Sequence, residues 1–414
     1  MQPICFLGYI PMRQFYKIHE ELGSGGSGTV YRITRRDAPS VSYAGKIFHI
    51  APWTRIQAYR DIKNLDKVKG APHTIRAHHL AFFSDQTLLV MEYVRGSTLL
   101  PREYRCTMDN IHQTVQILEF LAHIHSKGYT YFDLKPENVL FNKDDNDMRV
   151  VHMGCMYPTS QRFNKGIGTL CYRTLSMWLC EPQNALSDMW AFGLLLFELW
   201  TDSPLTYTTD KNADEATTNK YVNLIVSQFG MPPASLLDKL EFTSRFFIKN
   251  EKGYTLKNPL NLPFKPWKSA MSECTKSGSA EEVAHLIDLI DKCLRYEDAL
   301  TAKQALLHPF FKNYTTHFSI QIQPRNYVLW LYEESSSPYT QLMKLRLSDR
   351  QKLSCLHVKT QLKDRYIICL TSTENSEKLI AGPCSIYLRN HDRLLIRKNK
   401  FDIWGFAKEV PPKH

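Results

Sequence analysis

Several short stretches of this chain carry residue types suited to handling phosphate groups, metal ions and protons. Gly23-Ser24-Gly25-Gly26-Ser27-Gly28-Thr29-Val30 has the spacing G-x-G-x-x-G-x-V and lies between two β-like stretches. Glycines let a backbone approach an anion closely enough for its N–H groups to cradle the charge. Sixteen residues past Val30, Tyr43-Ala44-Gly45-Lys46 ends in a cation on a β-like segment. The run Asp133-Leu134-Lys135-Pro136-Glu137-Asn138 sets a carboxylate, an ammonium and an amide close together, and Val150-Val151-His152-Met153-Gly154 follows it. Taken singly, a flexible Gly/Ser loop and a solvated lysine are the ordinary explanations of the first two stretches. A histidine offers nitrogen, whereas Mg²⁺ wants hard oxygen donors in an octahedron.

The elements that must position these residues show in the periodicities. Phe15 to Tyr31 alternates, Val41 to His49 reads as a second strand, and Leu88 to Val94 as a buried one. Ile56 to Val68 has helical spacing, with Ile56, Ile62 and Leu65 as its apolar positions. Residues 107–312 read as mostly helical, with apolar faces at Ile111 to His125, Met189 to Trp200, Tyr221 to Phe229 and Ala280 to Leu294. Residues 203–280 are rich in Ser, Thr, Asn and Pro, which predicts a partly irregular insert. After Phe311 come short strand-like segments at Tyr327 to Tyr332, Gln341 to Leu347, Tyr366 to Thr371, Cys384 to Leu388 and Leu394 to Arg397.

Composition excludes several classes. At 414 residues, 43% hydrophobic and 22% charged, the chain affords a sizeable core. The net charge of +11 is uneven: residues 319–414 hold 16 Lys+Arg against 9 Asp+Glu. That tail is the half expected to meet an anionic partner, if its charge is more than a solvated surface. Ten cysteines occur without a C-x-x-C pair or a metal-like Cys/His spacing. Met1 to Arg13 lacks the pattern of a secretory signal. The apolar run Met189 to Trp200 is too short to span a bilayer and contains Glu198. No membrane span and a reduced compartment, cytoplasmic or nuclear, are expected.

In this order along the chain, the motifs resemble those of eukaryotic protein kinases over about residues 14–312. Tyr172-Arg173, then Ser187-Asp188-Met189-Trp190, is similar to the CMGC group. Gly230-Met231-Pro232-Pro233-Ala234-Ser235-Leu236-Leu237-Asp238 and Arg245-Phe246-Phe247 resemble the dual-specificity tyrosine-regulated and homeodomain-interacting kinases. The resemblance implies an α+β bilobal kinase fold with an appended small β-rich domain. It divides the chain into an extension (1–13), an N-lobe (14–91), a hinge (92–95), a C-lobe (96–312), a linker (313–323) and a β-rich domain of unknown type (324–410).

It also implies roles. Gly23, Gly25 and Gly28 would cover the phosphates of ATP, and Lys46 would neutralise them. Val30, Ala44 and Leu140 would sandwich the adenine, backed by Met91, with the Glu92 and Val94 backbone pairing with it. Asp133 would be the base and Lys135 its phosphate-side neighbour; Asn138 would ligate a metal. Departures accompany these matches. Asp61, in Arg60-Asp61-Ile62-Lys63-Asn64-Leu65, stands where a glutamate would brace Lys46. Tyr131-Phe132 replace His-Arg. His152 replaces the metal-binding aspartate, and Leu175-Ser176 replace the Pro-Glu that closes the activation segment. The arginine partner of that glutamate is also missing, from a shortened Leu294 to Thr301 segment. Leu65, Met153 and Tyr131 could still stack down to Asp188.

These features imply a protein kinase-like chain that binds ATP, uses Mg²⁺ or Mn²⁺ weakly or not at all, and works through protein partners as a pseudokinase. Two other readings stay open: an active serine/threonine kinase with atypical metal use, and a kinase-like scaffold for the basic tail.

Overall fold

The alternating stretch around the glycines folds into a tight hairpin, the first part of an N-terminal lobe in this computed structural model. Residues 4–7, 10–99, 111–142, 147–163, 166–181, 183–206, 210, 213–262, 265–274 and 279–311 are described, together with eight C-terminal strands. The lobe is a six-stranded sheet of order β1-β5-β6-β4-β3-β2. Its strands are β1 (Ile4–Leu7), β2 (Tyr16–Gly25), β3 (Gly28–Arg35), β4 (Ala38–Phe48), β5 (Ala77–Phe83) and β6 (Thr87–Glu92). Side chains opposite one another in an antiparallel pair share a face, and alternate residues along a strand do too. The pairs Val30↔Lys46, Ala44↔Met91 and Lys46↔Leu89 therefore put Val30, Ala44, Lys46, Leu89 and Met91 on one face.

The opposite face carries Ile33, Leu88 and Val90, packed with Met12, Tyr16 and Phe83 and flanked by Tyr31, Tyr43 and Ile47. Ile4–Leu7 and Met12, within the expected extension 1–13, thus contribute to the lobe. Strand β1 pairs in parallel with β5, and Met12 is sealed into the core. The physical reason is that the far face of the sheet is apolar and has to be covered.

Helix α1 (Pro52–Lys67) opens with proline in its first turn, where the absent N–H costs nothing. It buries Thr54, Ala58, Asp61, Ile62 and Leu65, which is helical spacing with polar members. Ile56, read as part of that face, points outward and is 63% exposed.

The C-terminal lobe is built on α2 (Ile111–Ser126) and the helix Leu186–Thr201, most of whose side chains are buried. Gly193 lets that helix approach Cys293 and Leu294 closely: a Cβ there would meet Leu294 Cγ at 2.9 Å. The Ser/Thr/Pro-rich insert holds the helices Glu215–Phe229 and Trp267–Glu273 and a hairpin of Phe247–Asn250 with Gly253–Leu256.

The chain divides into Met1–His308 and Pro309–His414. The second unit contains two four-stranded sheets. Five of its strands correspond to those read from sequence, with Leu379–Ile386 starting earlier than expected. Thr315–Ile322, Ser354–Gln361 and Trp404–Glu409 are additional. The first of these occupies most of the expected linker, whose start at 313–314 lies outside the described residues. Thr315–Ile322 joins its sheet antiparallel to Ser354–Gln361 and parallel to Arg393–Lys398. Among the described residues no helix is long and apolar enough to cross a membrane.

Candidate active site

Lys46 is the centre from which the site is built. It is buried, at 6% exposure, on the sheet face that also carries Val30, Ala44 and Met91. Its Nζ donates to Asp61 Oδ2 of α1 at 2.9 Å, and Asp61 is 1% exposed. The shorter acid therefore does reach the lysine, because α1 lies against the sheet. Nζ also donates to Nδ1 of His152 at 3.1 Å. Lysine can only donate, so this contact makes Nδ1 the acceptor and leaves the ring proton on Nε2. Burial, followed by the neighbouring Lys46 charge, pushes the His152 pKa below the ordinary imidazole value, so the ring is neutral.

The glycine hairpin turns at Gly26-Ser27. Gly23, Gly25 and Gly26 have open space where a Cβ would stand. Gly28 does not: a Cβ there would lie 2.2 Å from the Ile47 carbonyl oxygen. His49 ties the turn down, its N–H donating to Ser27 O at 3.1 Å and its Nε2 to Gly25 O at 3.2 Å. At the hinge, the Glu92 carboxylate accepts from Arg149 Nε at 3.2 Å and from the Arg76 N–H at 3.0 Å. Val94 lies in the connection between β6 and the strand Gly96–Thr98, and Leu140 lies on the strand Val139–Asn142.

Asp188, wholly buried near the start of the helix Leu186–Thr201, shapes the catalytic loop. Its carboxylate accepts the Tyr131 and Phe132 N–H groups at 2.8 Å each, and His125 Nε2 at 2.9 Å. These bonds hold Phe132 in the left-handed region, φ 66°, which non-glycine residues seldom adopt. The loop then presents Asp133. Its Oδ2 accepts from Asn138 Nδ2 at 2.8 Å; its Oδ1 accepts from the Thr169 N–H at 3.0 Å and Oγ1 at 2.8 Å. Lys135 Nζ donates to the same Thr169 hydroxyl at 2.9 Å. Asp133, Lys135, Asn138 and Thr169 thus form one connected polar group. Thr169 was not singled out in the sequence, since its role comes from the return path of the chain.

His152 also has left-handed backbone, φ 62°, before the short turn Met153–Cys155. Asn64 of α1 clamps that turn, Nδ2 donating to Met153 O at 2.7 Å and Met156 O at 2.8 Å. Tyr131 donates its hydroxyl to Val151 O. Leu65, Met153, Tyr131 and Asp188 are all buried, as the expected stack requires. Cys155 ends the turn; burial, then the Asp133 charge, raises its thiol pKa to about 12.

Arg173 organises the returning segment: Nε donates to Gly168 O at 3.1 Å, and Nη2 to Gly166 O at 3.1 Å and Gly168 O at 3.0 Å. Its guanidinium sits 5.0 Å from the Trp178 ring centroid. Ser176, standing where a glutamate would, lines a small cavity with Arg295, and Arg295 pairs instead with Asp291.

The residues fit a nucleotide better than its usual metal. The open glycine hairpin and the buried Lys46 suit phosphate, which would sit against the lysine's remaining donor capacity. Mg²⁺ does not fit. Asn138 and Asp133 offer oxygen, but the third position is the imidazole of His152, already bonded to Lys46.

Residues 16–311 match the family model described as protein kinase domain. Mitogen-activated protein kinase p38a of Drosophila melanogaster is 31% identical over 218 residues, 50% of this chain and 52% of that protein. Cyclin-dependent kinase F-3 of Oryza sativa subsp. japonica is 25% identical over 367 residues, 85% of this chain and 74% of that protein. Cyclin-dependent kinase 4 homolog of Caenorhabditis elegans is 27% identical over 315 residues, 71% and 70% respectively. The chain spans about half the length of the p38 relatives it matches.

Proposed function

From the premise that the chain belongs to the protein kinase family, with relatives among the CMGC kinases, we propose that it is a pseudokinase. It binds ATP without needing Mg²⁺, transfers phosphate poorly or not at all, and acts by binding other proteins. The observation that carries this reading is the placement of Lys46 Nζ between Asp61 (2.9 Å) and a neutral His152 (3.1 Å). The position that would supply a metal-binding carboxylate supplies a hydrogen-bond acceptor for the lysine instead. Metal and donor electrostatics dominate phosphoryl transfer, so their loss costs roughly 10²–10⁴-fold in rate.

The experiment is a thermal-shift titration with ATP, with and without Mg²⁺, beside a radiolabelled transfer assay in Mg²⁺ and in Mn²⁺. Equal shifts and no transfer are expected. A large Mg²⁺-specific shift, or transfer that vanishes in Asp133→Asn, would establish the alternative reading. That alternative has its own support: Asp133, Lys135, Thr169 and the Lys46–Asp61 pair are assembled.

The finer assignment, to the dual-specificity tyrosine-regulated and homeodomain-interacting branch, rests on Gly230 to Asp238 and Arg245-Phe246-Phe247. Gly230, φ 79°, ends the helix Glu215–Phe229, and Phe246 and Phe247 are buried. The surplus of Lys+Arg in residues 319–414 supports an anionic partner for the C-terminal unit. Steep salt dependence of that binding is the expected result, and flat dependence counts against it.

A further inference from the structure

The candidate active site gathers a second set of donors that phosphate handling does not explain. Asp133, His152 and Cys155 each offer one ligand atom, and these atoms lie within 4.8 Å of one another. The sequence showed no metal-like spacing, because His152 and Cys155 are joined by Asp133 from another loop. Two of the ligands ride on the turn that Asn64 clamps. The third sits on a loop held by Asp188 and by the Asn138 contact. Among the described residues, Asp133 Oδ1 accepts two hydrogen bonds, from the Thr169 N–H and Oγ1, and Oδ2 accepts one, from Asn138. A carboxylate has about four lone-pair sites, so Oδ2 keeps one for a cation.

We propose that Asp133, His152 and Cys155 form a binding site for a borderline-soft divalent metal of the Zn²⁺ class. One imidazole nitrogen, one thiolate and one carboxylate oxygen is a typical zinc donor set, and it is a poor one for Mg²⁺. Tetrahedral zinc with ligands at about 2.0–2.3 Å needs donors roughly 3.3–3.8 Å apart, so atoms within 4.8 Å of one another would have to close by about 1.5 Å at most. Three protein ligands leave a fourth position for water or another oxygen donor. Coordination replaces the S–H bond of Cys155 by a metal–sulfur bond, and the thiol proton leaves to solvent. Ligation also takes His152 from Lys46. Metal at Nδ1 displaces the lysine directly, and metal at Nε2 moves the ring proton onto Nδ1. Lys46 then keeps Asp61 as its partner.

The test uses the full chain, stripped with a chelator and titrated with Co²⁺ as a spectroscopic probe. One equivalent is expected to bind with a thiolate-to-cobalt charge-transfer band and the intense visible bands of tetrahedral cobalt. Zn²⁺ should displace it, and a large excess of Mg²⁺ should not. Cys155→Ser and His152→Ala should each weaken binding by about 100-fold or more, since even outer-shell changes cost 10–100-fold. Cys171→Ser, a change outside the trio, should leave it intact. Unchanged stoichiometry and affinity in Cys155→Ser and His152→Ala, or no binding by the folded wild type, would overturn the proposal. A readout on the wild type alone covers the case of a variant that fails to fold. Zn²⁺ should protect Cys155 from alkylation, read residue by residue by mass spectrometry, and equal labelling with and without Zn²⁺ would refute the site.

Discussion

Replacing His152 by aspartate tests the proposed loss of function directly. The position tolerates the change: φ is 62°, and aspartate is among the residues most at home in the left-handed region. The ring it replaces lies 3.1 Å from Lys46 Nζ. A carboxylate at about 4 Å from that ammonium gains roughly 4 kcal/mol at an effective dielectric near 20, so it stays ionised at neutral pH. It would then give Mg²⁺ the anionic oxygen that the imidazole withholds, beside Asn138. Recovery of about 10²–10⁴-fold in transfer rate corresponds to about 2.7–5.5 kcal/mol of barrier, the size of one strong electrostatic contribution. The assay is radiolabelled transfer to a generic basic protein, paired with ATP thermal shifts in chelator and in Mg²⁺. His152→Asp should show a larger shift with Mg²⁺ than without, and transfer that Asp133→Asn abolishes. A wild type that already shows the Mg²⁺-specific shift, or a His152→Asp chain with no gain in either readout, would refute the reasoning.

Other consequences can be measured on stability. Asp61→Asn leaves the buried Lys46 charge without its carboxylate and should cost about 3–5 kcal/mol in denaturant unfolding, with loss of the ATP-induced shift. Because the folded-state pKa of His152 lies below its unfolded value of 6.5, the unfolded chain binds the proton more readily. Stability should therefore fall as pH drops below about 6.5 and level off below the folded pKa, and His152→Gln should remove that component of the pH profile while leaving those of other histidines. Gly28→Ala drives a methyl against the Ile47 carbonyl, 2.2 Å away, and should cost about 1–3 kcal/mol by thermal or chemical unfolding. Arg173→Ala removes three bonds to the Gly166 and Gly168 carbonyls. Amide exchange should rise in that segment, with about 2–4 kcal/mol lost overall.

The parts of this site that were legible in the sequence are those whose chemistry sits in a fixed string. The glycine loop, Lys46, Asp133, Asn138 and the histidine could each be singled out from one short string, because each string falls in one turn, loop or strand. Asp61 was legible as the brace, and the close α1 position resolves whether it could reach. Contacts made across loops were not legible. Thr169 meets Asp133 after a separation of 36 residues, and Cys155, three residues past the left-handed His152, brings its sulfur within 4.8 Å of the Asp133 carboxylate. The misplaced face of α1 has a similar cause. Its buried stripe includes Thr54 and Asp61, so the apolar residues alone pointed to Ile56. The strands Thr315–Ile322 and Ser354–Gln361 mix polar with apolar residues throughout, which let turn-like composition hide them.

Charge balance connects the histidine to the rest of the catalytic centre. Lys46 and Lys135 carry two positive charges; Asp61 and Asp133 carry two negative ones. With a neutral His152 the group sums to zero without any ion. A carboxylate at position 152 would leave one negative charge in a largely buried centre, and a divalent cation or the Lys46 contact would have to answer it. The imidazole removes that demand and gives Lys46 a neutral acceptor at 3.1 Å in exchange. On the proposed reading the electrostatic pull on Mg²⁺ is weak, while Asp188, Asn64 and the Lys46–Asp61 pair keep the loops of the centre in place. A metal that still binds must do so through ligand bonds instead of field strength, by displacing the Cys155 proton and the lysine contact together. Zinc-class ions form such bonds and Mg²⁺ does not, so His152 would be the single cause of both proposals, the loss of phosphate transfer and the zinc-class site.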